Sequence, residues 1–103
     1  MSKKKQYHNK KSRIFISGIF NVLHPGHIRL FKFASELADE VVVGLQMKTD
    51  ADPNMLDDNE RLQALKTVSL IDNIHLVHDL NEVLNELKPE LVLKGSEFKH
   101  KYN

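Results

Sequence analysis

The sequence predicts an α/β fold in which helices cover both faces of a parallel sheet of about four strands. Three observations lead there. Short apolar runs with β-branched character at residues 14–16, 41–45 and 91–93 are the pattern of strands buried on both faces. Stretches with apolar residues at helical spacing separate them, and two of those stretches open on paired capping residues. The two kinds of element alternate as β-α-β-α-β-α-β, and a connection that carries a helix joins parallel strands through a right-handed crossover.

Each element has its own warrant. Ile14, Phe15 and Ile16 make the first strand, and Gly18 breaks it. After a short hydrophobic turn comes Pro25, which a first helical turn tolerates because the missing N–H would have no intrahelical partner there. From Ile28 onward Ile28, Phe31, Ala34 and Ala38, with Leu30, Phe33 and Leu37 beside them, form an amphipathic helix of about fourteen residues. Val41, Val42, Val43 and Leu45, with Gly44, form the second strand. Residues 46–58 have no hydrophobic period and gather Thr49, Asp50, Asp52, Pro53, Asn54, Asp57 and Asp58, which makes them a loop. Asp57 and Glu60 then stand at capping-box spacing ahead of Leu62, Leu65, Val68 and Ile71. A third strand follows at residues 73–77. Asp79 and Glu82 repeat the capping spacing ahead of Val83, Leu84 and Leu87, Pro89 stops that helix, and the fourth strand runs into Lys94 and Gly95.

A chain of 103 residues sets an expectation of one domain with a single core. With 15 Lys plus Arg against 14 Asp plus Glu the formal charge is +1, so no global field points to nucleic acid or an anionic membrane as partner. The absence of cysteine excludes disulfides, thiolate metal sites and a Cys nucleophile, and suits a cytoplasmic location. Residues 1–12, basic and without an acidic side chain, read as a mobile solubilising arm ahead of a domain at residues 13–103. A basic start before an apolar stretch imitates a secretory signal, but Ser17, Gly18 and Asn21 interrupt the run and no Ala-x-Ala-like cleavage site follows. No stretch is long enough for membrane insertion.

The stretch from Ile14 to His27 carries the chemistry. It passes from strand through a glycine turn to His24-Pro25-Gly26-His27 at the start of a helix, and so lies at the carboxyl end of the first strand, where open α/β sheets bind ligands. Unpaired N–H groups and the positive end of the helix dipole are expected there, an arrangement that binds anions. Strand, glycine, histidines and helix in this order resemble the HxGH signature of the nucleotidyltransferase superfamily, which includes cytidylyltransferases and adenylyltransferases. The match from Gly18 to Leu37 is similar to glycerol-3-phosphate cytidylyltransferase and heptose-phosphate adenylyltransferase domains. The resemblance implies a Rossmann-like three-layer sandwich. It also implies transfer of NMP from CTP or ATP to a small phosphorylated substrate, such as a sugar or polyol phosphate, with release of pyrophosphate. Mg²⁺ would arrive with the triphosphate.

By the same resemblance His24 and His27 are the catalytic pair, donating hydrogen bonds to phosphate oxygens either as neutral rings or as imidazolium. Gly18, Ile19, Phe20 and Gly26 would meet the nucleotide, with Gly18 permitting a tight turn and Ile19 and Phe20 contributing backbone groups. Lys48 offers a point charge to a phosphate. Arg61 lies in Asn59-Glu60-Arg61, similar to the family's helix start, and Gly95 and Glu97 lie in Lys94-Gly95-Ser96-Glu97, similar to the step after its fourth strand. Relatives of this kind are often homodimers. No protein-held metal is expected: His75 and His78, on a strand, would point to opposite faces, and His8 and His100 lie near the ends. Three departures accompany the match. Asn21 stands where the family commonly has Asp, the loop after the second strand is acid-rich with Lys48 its only lysine, and nothing after Gly95 matches the family's Ser/Thr-rich phosphate element. The chain therefore reads as an incomplete form of the family fold, with a non-catalytic nucleotide-binding module as the alternative.

Overall fold

The computed structural model describes residues 12–49 and 53–94. Within them the order is β1 (Arg13–Gly18), α1 (Pro25–Leu37), β2 (Glu40–Gln46), α2 (Asp58–Lys66), β3 (Asn73–Val77), α3 (Leu80–Leu87) and β4 (Leu91–Lys94). The basic arm, the middle of the acidic loop and the segment holding Gly95 and Glu97 lie outside the described residues.

All four strands are parallel, in the spatial order β3-β2-β1-β4. Val41, Val42 and Val43 pair with Ile14, Phe15 and Ile16 in register, so the two most apolar runs occupy the middle of the sheet, and all six side chains are buried. From β1 the chain steps to β2 and then β3 in one direction, and the β3–β4 crossover returns it to the other side of β1. Right-handed crossovers then require α1 and α2 on one face and α3 on the other. The packing agrees. Ile14, Ile16, Val41 and Val43 join Phe31, Ala34 and Leu65 in one cluster, while Phe15, Val42 and Val77 meet Leu80, Val83, Leu84 and Leu87 in the second. This is a Rossmann-like three-layer sandwich whose strand order reverses between β1 and β4.

Several local expectations shift. The inward stripe of α1 is His27, Phe31, Ala34 and Ala38, not one that starts at Ile28, which is exposed. Steps of four, three and four residues from His27 trace a single helix face, and Ile28 lies one residue, about 100°, off it. Asp57 and Glu60 close a reciprocal capping box, Glu60 N donating to Asp57 Oδ1 at 2.8 Å and Asp57 N to Glu60 Oε1 at 3.3 Å. Asp79 also caps its helix, but it accepts from Asn81 N at 3.0 Å instead of forming a box with Glu82. Lys88, left-handed with φ 48°, ends α3 just ahead of Pro89. His78 falls one residue past the end of β3, so the alternation of a strand does not set its direction.

Candidate active site

His24 and His27 cap α1 with each other. His24 is the N-cap, with extended backbone, and its Nδ1 accepts from Gly26 N at 3.0 Å. His27, at the third helical position, accepts from His24 N through its own Nδ1 at 3.3 Å. This is a capping box in which two imidazoles do what Ser or Thr and Glu usually do. A ring nitrogen that accepts a hydrogen bond carries no proton, so in this arrangement both rings are neutral and hold their proton on Nε2. The rings lie 4.0 Å apart between centroids and 37° from coplanar. His24 is exposed and His27 is buried.

The cap changes what the helix start can offer an anion. Pro25 has no N–H, Gly26 N is taken by His24 Nδ1, and His27 N and Ile28 N donate to the His24 carbonyl at 2.9 and 3.3 Å. The unpaired amides expected at this terminus are therefore already paired, and the exposed ring of His24 stands over the helix start instead. Gly26 makes the cap possible. A Cβ there would stand 2.8 Å from Cε1 of His24, so the ring lies across the space a side chain would fill.

Beneath the histidines the loop is held by Arg61, whose side chain is fully buried. Its Nη1 donates to the carbonyls of Ile19 at 2.8 Å and Gln46 at 2.7 Å, its Nε to that of Leu56 at 2.9 Å, and its Nη2 to Asp58 Oδ1. One guanidinium thus joins the loops that follow β1 and β2 to the start of α2. The hydrogen bonds of Arg61 thus go to three backbone carbonyls and the Asp58 carboxylate, which makes it a brace for the loops. Asp58 Oδ1 also accepts from Lys48 N at 2.8 Å, which fixes the backbone of Lys48 while its side chain remains exposed. Asn21 Oδ1 accepts from Leu56 N at 2.7 Å, a bond an aspartate would make equally well, so loss of the charge leaves this tie intact.

The remaining sequence-predicted residues fall into place around this frame. Gly18 ends β1 in register with Leu45, and the left-handed residue of the turn is Phe20, with φ 48°, where the expectation placed the tight turn at Gly18. Phe20 and His27 meet edge to face, with centroids 5.3 Å apart at 66°. The structure therefore gathers Ile19, Phe20, His24, Gly26, His27 and Arg61, and ties Lys48 to the group through Asp58. Gly95 and Glu97 lie outside the described residues. Leu56, and the part Asp58 plays in pinning the loops together, were not foreseen. The inward helical phase shared by Asp58, Arg61 and Leu65 is the signal that could have found Asp58. His24 also borders a shallow apolar depression of about 510 Å³ formed with Leu23, Pro25, Ile28 and Arg29. A hollow of about 630 Å³ between α2 and β3 shares no residue with the histidine pair. Among the described residues no helix is long and apolar enough to cross a membrane.

The histidine cap thus stands at the strand-order reversal of a Rossmann-like sheet, and comparison with known proteins gives the family. The chain belongs to the cytidylyltransferase-like family, which it matches over residues 15–101. It is 32% identical to FAD synthase of Thermoplasma volcanium over 89 residues, covering 81% of this chain and 63% of that protein. It is 34% identical to the bifunctional protein HldE of Campylobacter concisus, covering 89% of this chain and 21% of the relative. The chain thus spans less than two thirds of the length of either. Among solved structures, the lipopolysaccharide core biosynthesis protein of Thermoplasma volcanium superposes with a TM-score of 0.73 at 29% identity, covering 81% of this chain and 73% of that one.

Proposed function

We propose that this chain is the nucleotide-binding and catalytic part of a nucleotidyltransferase that moves NMP from ATP or CTP to a small phosphorylated acceptor. An acceptor oxygen attacks the α-phosphorus, the bond to the bridging oxygen breaks, and pyrophosphate leaves. No protein nucleophile takes part. Negative charge grows on the phosphate oxygens and leaving group, and fixed donors stabilise it more in the transition state than in the ground state. His24 and His27 supply those donors as neutral Nε2–H groups, Lys48 adds a point charge, and Mg²⁺ enters on the phosphates as part of the nucleotide substrate. The observation that carries this reading is the reciprocal cap, which holds both rings side by side at the start of α1. FAD contains an adenylate, so relatives named FAD synthase favour ATP over CTP as donor.

The test is pyrophosphate release with ATP or CTP, Mg²⁺ and a panel of sugar, polyol and flavin phosphates. Wild type releases pyrophosphate with one acceptor and His24→Ala does not. Nucleotide binding by calorimetry without turnover, for every acceptor tried, would leave the binding-module reading in its place.

A further inference from the structure

The ring of Phe20 connects the hydrophobic core to the histidine pair. It is 2% exposed, lies 5.7 Å from Phe31 on one side, and meets His27 edge to face at 5.3 Å on the other. Its backbone is in the left-handed region, which a bulky side chain rarely enters. Both neighbours are anchored. The Ile19 carbonyl, in the same peptide plane as the Phe20 N–H, accepts from Arg61, and the side chain of Asn21 accepts from Leu56 N, while the Leu56 carbonyl accepts from the same arginine. A half-turn of the His27 ring about χ2 would put Cδ2 in the place of Nδ1, and a smaller turn would take Nδ1 out of line with the His24 N–H. Packed edge to face against a buried ring, the His27 imidazole is held in the plane that keeps Nδ1 in line with that N–H.

We propose that Phe20 is a positioning residue for the catalytic pair. Its ring holds His27 with Nδ1 toward His24 N, and the Arg61 clamp on Ile19 holds the left-handed backbone that puts the ring there. The inference rests on nucleotidyl transfer as the activity, but its first readout does not depend on turnover. In nitrogen-15 NMR of the imidazoles, wild type shows His27 as a single Nε2–H form. Phe20→Leu, which keeps an apolar side chain, gives a mixture of the two neutral forms and exchanges the His24 amide proton roughly tenfold faster. Where an active acceptor is known, kcat falls about tenfold while KM for ATP stays within about twofold. Phe15→Leu, a comparable loss in the opposite core cluster, leaves the imidazole signals unchanged.

A folded Phe20→Leu protein with His27 still in one form and His24 exchange unaltered overturns the proposal. So does the same disturbance in Phe15→Leu, which would mean general loosening. If Phe20→Leu does not fold, Arg61→Lys decides by the same NMR reading: a mixed His27 supports the clamp and a single form overturns it. Absence of turnover in wild type would refute the activity and leave the NMR result to judge the positioning.

Discussion

The two ends of the sheet are held in different ways. At the amino ends each strand is tied to a neighbour by short polar contacts. Ser12 N donates to Asp39 Oδ2 and Asp39 N to Ser12 Oγ, both at 3.0 Å, Val41 N donates to Asp72 Oδ2 at 2.7 Å, and Arg13 N donates to Glu90 Oε1 at 2.8 Å. Arg13 also reaches Glu40 and the Leu87 carbonyl, and Asn73 reaches Glu40. At the carboxyl ends one buried arginine under the loops gathers three backbone carbonyls, and above it an exposed imidazole caps α1. The amino end spreads its stability over many replaceable contacts. The carboxyl end concentrates it in one residue, which leaves the surface above for side chains that meet a ligand.

The comparison is most sharply broken at Arg61. Replacing it by Met removes the Arg61 donors from three carbonyls and leaves Asp58 with the Lys48 amide alone, and the expected cost is about 3–5 kcal/mol in urea unfolding. A loss below about 1 kcal/mol would mean that the carboxyl end does not depend on it. Next in size is Gly44→Ala. The ring of Phe15 lies across Gly44, and an added Cβ would collide with it, so overpacking should cost about 1–3 kcal/mol by the same measurement. The smallest effect belongs to the amino end. Glu40→Gln weakens a partly exposed ion pair with Arg13, at 2.8 Å, and should change stability by about 1 kcal/mol or less, the difference vanishing in high salt.

The fold was largely legible in the sequence because the strands announce themselves locally. Residues 14–16 and 41–43 are continuous apolar runs, and only a central pair in a parallel sheet buries both faces of such runs. The placing of His24 and His27 at the start of α1 was legible through their spacing and context. What could not be read depends on contacts between distant residues. Arg61 looks like a surface side chain near a helix start, and its burial appears only when Ile19, Gln46 and Leu56 converge on it. Phe20 takes the left-handed turn position because its flanking groups are anchored, whereas intrinsic preference points to Gly18. Ile28 attracted the helix phase by hydrophobicity alone, and His27 holds the inward position because its ring packs on Phe20.

The central claim is that the two imidazoles matter as phosphate donors and not merely as helix caps. The direct measurement compares wild type with His24→Ser, since serine is itself a strong N-cap and removes only the imidazole chemistry. With the acceptor that supports pyrophosphate release, His24→Ser should unfold at about the wild-type temperature and release pyrophosphate at least about a hundredfold more slowly, the loss expected for one fixed transition-state donor. Equal rates at equal stability would reduce the pair to a cap and contradict the account.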